Sequence, residues 1–527
     1  MRRVESTGQD AFGFARESAP TPEQRQPIGD HRFIDDDAYQ LRIGDVRLDT
    51  YLRKGSGRIA LELRRVMGGL NYESLTHRYS QRGRRAFHPR TVLGLVIYGS
   101  FLRVRTLRDL ERLSENDLGA MWICGGRRID HSTIGRFITM HAETLSEEFF
   151  EAVTRWVIEK LGLKAGVSSI DATVVESAGS RWRALKAEAA REAAEKARAE
   201  AAAAPGDEQA QSTAKEAQKL AQIASERQAQ REAKGRDGSK PVVVSTDPEA
   251  VIQPRKDGAV RPAYKASTMM HEAGVIISHS VHASSETAAV AGLLEGHRKL
   301  FGSNPKTLLM DAGYSNGALL ADVAERGIDV LCPSGCPVTD EGWEKKGSKG
   351  LFHKNRFVYD EATNSYRCPA GQSLTYSEKA RDQEGRAYWK YRTRACGDCP
   401  LRAQCTESKA GRSVQRYEYE DYKEAMARVL EQPGARRMYR RRMAMGERVN
   451  AEMRERMGLQ RILRRGRRGA SVEFGIFAIA FNLKRVIGGR RRTLLGVFEC
   501  RNDGHNWRIE RAVWLVIDQE RADEELR

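Results

Sequence analysis

The chain has 527 residues, enough for roughly two to four domains with a sizeable core, and a formal net charge of +18. That excess of Lys and Arg points to a polyanion partner, DNA or RNA ahead of a membrane surface. Eight cysteines in this length argue against a disulfide-built secreted scaffold. The apolar runs at 91–102 and 475–483 are too short to span a bilayer, and Glu5, Gln9 and Asp10 stand where a signal peptide would be apolar.

Residues 1–44 are polar and aperiodic and read as a flexible arm. From 45 to 160 the pattern is helical. Leu61, Leu63, Val66, Met67 and Leu70 make one apolar face, and Val92, Leu93, Val96, Ile97 and Phe101 make another. Asp130-His131-Ser132-Thr133 has N-cap chemistry and leads into a helix carrying Arg136. Short helices with basic ends suit a helix-turn-helix reader of DNA, and equally a plain helical bundle with solvated arginines.

Residues 167–175, Val-Ser-Ser-Ile-Asp-Ala-Thr-Val-Val, read as a buried strand holding one carboxylate, Asp171. A buried carboxylate is costly unless something positive sits on it, and a divalent metal is the obvious candidate. Residues 181–234 are rich in Ala, Glu, Lys, Arg and Gln, and Pro205-Gly206-Asp207 divides them into two antiparallel helices. A solvated insertion is the favoured reading, with a dimer contact as runner-up. Residues 264–270 and 275–282 form a hairpin, 306–311 an apolar strand ending in Asp311, 316–326 a helix and 329–332 a short strand, together a mixed α/β pattern.

Residues 341–425 are polar and aromatic and hold Cys368, Cys396, Cys399 and Cys405. One CxxC plus two further thiols could hold a tetrahedral structural Zn²⁺; the alternative is reduced free thiols. Residues 436–468 read as a strongly basic helix, followed by an apolar helix at about 472–487. The tail, 491–527, has no functional reading.

If the strands ending at Asp171 and Asp311 are parallel neighbours, both acids emerge at one edge of a sheet. Glu447, on the basic helix, is the best third acid. Arg440 and Arg454 lie seven residues to either side on the same helical face, able to fork phosphate oxygens. Glu452 and Glu473 compete for the role. Trp182 could stack on an unpaired base, but a surface or packing role is favoured.

In their order, Phe87-His88-Pro89-Arg90, residues 130–137, Ser169-Ile170-Asp171-Ala172-Thr173, Met310-Asp311-Ala312-Gly313-Tyr314 and the stretch 439–454 resemble bacterial insertion-sequence transposases of the DDE type. The resemblance covers most of residues 45–490. It implies an RNase H-like mixed sheet flanked by helices, an all-α N-terminal domain that binds terminal inverted repeats, and a cysteine-bearing insertion at 341–425. The core would comprise 161–340 and 426–490. It also implies Asp171, Asp311 and Glu447 as a catalytic triad holding Mg²⁺ or Mn²⁺, and Lys265 as a basic position between the first two acids.

One group of this family places a Tyr seven and an Arg four residues before the Glu, and a Lys or Arg seven after it. Arg454 fits the last place; Tyr439 and Arg442 stand eight and five residues before Glu447. The expected activity is DNA cleavage and strand transfer on inverted repeats and target DNA, by a homodimer in the nucleoid-associated cytoplasm. A nuclease without strand transfer, or a catalytically dead DNA-binding relic, are the alternatives.

Overall fold

In the computed structural model, residues 30–334 and 351–487 are described, apart from positions 56, 234, 236, 256–257 and 383–384. Most of the polar arm, Cys336, Cys500 and the tail lie outside the described residues. The chain divides into two units, residues 1–156 and 157–527.

Among its described residues the first unit is helical apart from a two-stranded turn, Arg42–Ile43 with Val46–Arg47, and a lone bridge between Phe33 and Ala86. Its central helix, Pro89–Phe101, opens with proline at its first position and is buried on nearly every side. The end of the polar arm is not free of this unit. Phe33 is buried, and Asp36 accepts hydrogen bonds from Arg90 at 2.6 Å and Thr91 at 2.6 Å, and pairs with Arg64 at 3.2 Å. Two long-range anchors in a polar run carry no periodic signal, so the arm reading at 30–44 is corrected here. Asp130 caps the helix His131–Met140 by accepting from Thr133 N at 3.0 Å, as its sequence predicts.

The second unit is built on a mixed sheet. In chain order its main strands are β1 (Val167–Glu176), β2 (Val260–His271), β3 (Ile276–His282), β4 (Thr307–Leu309) and β5 (Asp329–Leu331). Their spatial order is 5-4-1-2-3: β5, β4 and β1 run parallel, and β2 is antiparallel to both β1 and β3. A short strand, Val251–Pro254, pairs with the start of β2. This is the RNase H-like arrangement, with the 2–3 hairpin turning at Glu272-Ala273-Gly274 as the sequence predicts.

The helices Val290–Phe301 and Gly466–Ile487 pack on β2 and β3. Asn482, fully buried in the latter, donates to Ile276 O and accepts from Ile276 N, both at 2.8 Å. That side chain satisfies backbone groups of the last strand where no further strand does. The helical hairpin is Ala187–Ala203 and Glu208–Ala233, divided at Pro205-Gly206. Its scarcity of large apolar residues is met by close packing of Ala187, Ala190, Ala221 and Ala224 around Leu220, with Val242 and Val243.

Two boundaries differ from the sequence reading. β1 continues five residues beyond Asp171, so this acid sits within the strand rather than at its end. The basic helix runs over 433–456 and stops there, because Gly458 adopts a φ of +81°. Arg464 and Arg465 therefore belong to a connection, in which residues 460 and 462 bond to Glu176 at the end of β1.

The insertion carries its own antiparallel sheet. It consists of β6 (Val358–Asp360), β7 (Ser365–Arg367), β8 (Ser373–Arg381), β9 (Ala387–Arg392) and β10 (Ser413–Tyr417), neighbours in sequence order. Its core is Phe357, Tyr366, Leu374, Tyr391, Cys405 and Val414.

Candidate active site

β1 and β4 pair in parallel with Ser169 opposite Leu309, so Asp171 and Asp311 each lie two residues beyond the same rung. Their carboxylates emerge at one edge of the sheet, where ligands meet α/β folds. Asp171 is 9% exposed. Its Oδ2 accepts from Asn450 Nδ2 at 2.9 Å, and its Oδ1 lies 3.7 Å from Arg442 Nη1. Arg442 Nη2 lies 3.6 Å from Glu447 Oε1. One guanidinium thus joins the first acid to the third. Asp311 uses one oxygen to cap the turn that follows, accepting from Gly313 N at 2.8 Å.

The basic helix can lie this close because residue 446 is a glycine. A Cβ there would fall 2.8 Å from Asp171 Cβ and 3.0 Å from its Oδ2. Gly446, Asn450 and Arg454, spaced by four, form the face laid on β1. Arg454 Nη1 reaches Thr173 Oγ1, two residues beyond Asp171 on the same face, at 3.5 Å.

Burial raises the pKa of Asp171, and Asp311 adds to that shift while Arg442 opposes it. Burial works against the charge on Arg442, but Tyr439, Asp171 and Asp311 together hold its pKa above the ordinary value. The buried Tyr314 phenol is pushed up by burial and then by Glu286, Asp171 and Asp311.

Residues 367–487 match a family model described as a transposase DDE domain, and residues 52–140 match one described as a transposase domain (DUF772). Together the two matches support an insertion-sequence transposase of the DDE type. No curated relative matches it. The two matches take in Glu447 and the basic helix, while Asp171 and Asp311 fall outside both.

The geometry of the basic helix also accounts for the one-residue offset of Tyr439 and Arg442 from the spacing in the group it resembles. Residues 443–447 form a π turn, which holds one residue more than an α turn. In an α-helix a residue five away is turned by about 140°. Here the extra residue is absorbed, and Arg442 faces Glu447 as it would from four residues away.

The remaining predicted residues are placed less uniformly. Arg440 is exposed, and Arg442 rather than Arg440 reaches Glu447; the π turn displaces the seven-residue alignment assumed from an unbroken helix. Lys265 lies opposite Val174, on the face of the sheet away from Asp171, and pairs with Glu286. Arg136 is exposed on its helix, 3.3 Å from Thr133 Oγ1. The competing acids have other duties: Glu452 pairs with Lys484 at 2.6 Å, and Glu473 accepts from the backbone of Leu463 and Arg464. Trp182 is 82% exposed under the Arg181 guanidinium, in keeping with a surface role.

Sequence reasoning passed over Gly446, Asn450 and Glu286. A glycine and an asparagine four apart in a run of arginines was the available signal for the first two. For Glu286 there was none. Its Oε2 and Asp311 Oδ1 crowd the same point, lying 3.2 and 2.9 Å from where a Cβ on Gly313 would be.

Among the described residues, no three His, Cys, Asp or Glu side chains are gathered closely enough to hold a metal ion. Glu447 is 53% exposed and reaches Asp171 only through Arg442, because like charges repel and the guanidinium compensates both. The donor chemistry nevertheless suits a hard divalent cation: carboxylate oxygens, one of them buried beside a second acid. Among the described residues no helix is long and apolar enough to cross a membrane.

Proposed function

We propose that this transposase cuts the 3′ end of each strand at the termini of its element and joins the freed 3′-OH to target DNA. Both steps are in-line displacements at phosphorus, without a covalent protein–DNA intermediate. Asp171, Asp311 and Glu447 are the acids that hold Mg²⁺ or Mn²⁺. When bound, the cation supplies charge neutralisation on phosphate oxygens and lowers the pKa of water.

The support is one observation above all: the in-register parallel pairing of β1 with β4, with Arg442 tied to both Asp171 and Glu447. Arg442 keeps Glu447 within reach of the pair, and Asn450 fixes the rotamer of Asp171. Arg440 and Arg454 meet the phosphate backbone. The helical region 45–160, with Arg136 on its capped helix, binds the terminal inverted repeats, and the protein acts as a homodimer on DNA.

The test uses full-length protein, Mg²⁺ and a duplex carrying the element's end, with nicking and joining scored separately. Cleavage and joining that both vanish in Asp171→Asn and Asp311→Asn, with DNA binding retained, is the expected result. Nicking without joining would favour a nuclease. Activity surviving both substitutions would overturn the assignment of the acids.

A further inference from the structure

We propose that Cys368, Cys396, Cys399 and Cys405 form a tetrathiolate zinc site that staples the inserted sheet. The inference is independent of how the transposase cuts DNA. In sequence only Cys396 and Cys399 look paired, and Cys368 stands 28 residues upstream of them. The sheet removes that distance. Cys368 lies in the turn from β7 to β8, and the other three lie in the connection from β9 to β10.

Arg367 pairs with Ser373, Thr375 with Arg392, and Arg392 with Ser413. These registers put the turn and the connection at the same end of the sheet. All four cysteines line one cavity there, and all four are free thiols.

The surroundings are those of a thiolate site. Arg412 N donates to Cys396 Sγ at 3.5 Å. Gly411 leaves room for that sulfur, since a Cβ there would fall 2.8 Å from Cys396 Cβ and 3.1 Å from Sγ. The Arg402 guanidinium donates to the carbonyls of Cys396 and Gly397 on one arm of the loop, and of Ser408 and Lys409 on the other. It holds the arms together and brings positive charge to the loop.

The sulfurs are spread around the cavity rather than gathered at ligand distance. Binding draws them to Zn–S distances of about 2.3 Å, and the four thiol protons pass to solvent. The sheet has reason to need this. Its core is six side chains, and sheets this small gain independent stability from a staple. Thiolates select zinc over the hard cation expected at the carboxylates.

The experiment takes the full-length protein, purified without chelator, and measures metal per chain by mass spectrometry. It then titrates Co²⁺ into chelator-stripped protein. About one zinc per chain and a thiolate-to-cobalt charge-transfer band are expected. Both should be lost in Cys396→Ser and in Cys405→Ser and kept in Cys124→Ala, whose thiol is buried in the first unit. The cobalt titration of wild-type protein stands even if a variant misfolds. Protein that carries no zinc and gives no such band overturns the proposal. So does a disulfide between these cysteines, or visible absorption from bound iron.

Discussion

Gly446 sets how closely the basic helix lies on β1, and Gly446→Ala tests whether that closeness matters. The added Cβ would meet Asp171 Cβ at 2.8 Å, Oδ2 at 3.0 Å and Cγ at 3.2 Å. Carbon atoms rest at about 3.5–4.0 Å, so the helix must retreat from the strand by roughly 0.5–1 Å. Overpacking of this kind costs about 1–3 kcal/mol. Alanine's advantage over glycine within a helix returns about 1 kcal/mol. The net loss of stability is therefore small.

The loss of activity is not small. The same retreat carries Asn450, Arg442 and Glu447 away from Asp171. A misplacement of about 1 Å in a catalytic constellation costs on the order of 100-fold in rate. The assay compares 3′-end cleavage with thermal unfolding, using Gly434→Ala as control. Gly434 lies on the same helix with nothing within 4 Å of its added Cβ. Gly446→Ala should lose most of its cleavage at nearly wild-type melting temperature, and Gly434→Ala should lose neither. A Gly446→Ala protein that cuts at the wild-type rate would refute the reasoning.

Burial holds the pKa of Asp171 above its ordinary 3.8. The folded chain therefore binds that proton more tightly than the unfolded one, and stability falls as pH rises from 3.8 through the raised value. Asp171→Asn should accordingly raise the melting temperature at neutral pH while abolishing cleavage, with the gain narrowing on acidification; a lowered melting temperature at pH 7.5 would contradict this. Arg442→Gln should destabilise by about 1–3 kcal/mol in urea, because Asp171 then loses a charged partner, and should lower cleavage more than Arg440→Gln does. Asp36 has the opposite sign: Arg64 and Arg90 outweigh burial and hold its pKa below 3.8. Its contribution is present above that value and lost as pH falls through the folded one, so Asp36→Ala should cost about 3–5 kcal/mol near neutrality and progressively less in acid.

Much of this architecture was legible in the residues. β-branched side chains around Asp171 marked β1, Pro205-Gly206 divided the helical hairpin, and the acidic end of 306–311 marked β4. What escaped was set by contacts between distant elements. Phe33 and Asp36 look like part of a polar arm until their partners at 64, 90 and 91 are known. Lys265 reads as a site residue from its neighbours in sequence, but strand alternation sends it to the other face, against Glu286. Arg440 looked better placed than Arg442 only because an unbroken helix of 3.6 residues per turn was assumed. A change in backbone hydrogen-bond register leaves no pattern in side chains.

That register makes a prediction of its own. If the π turn at 443–447 exists to absorb one extra residue, deleting Ala444 should let it relax into an ordinary α turn. Arg442 and Tyr439 would then stand four and seven residues before the glutamate and keep the face they now occupy. Deleting Val449 removes a residue from the α-helical stretch Arg448–Ala451, which lies ahead of a second π turn at Glu452–Arg456. It should turn Asn450 by about 100° relative to Glu447. The Ala444 deletion should thus keep 3′-end cleavage within about tenfold of wild type, the equivalent of about 1.4 kcal/mol, with no loss of melting temperature, while the Val449 deletion removes cleavage. Equal damage from the two deletions would mean that the π turn is not what aligns Arg442 with Glu447.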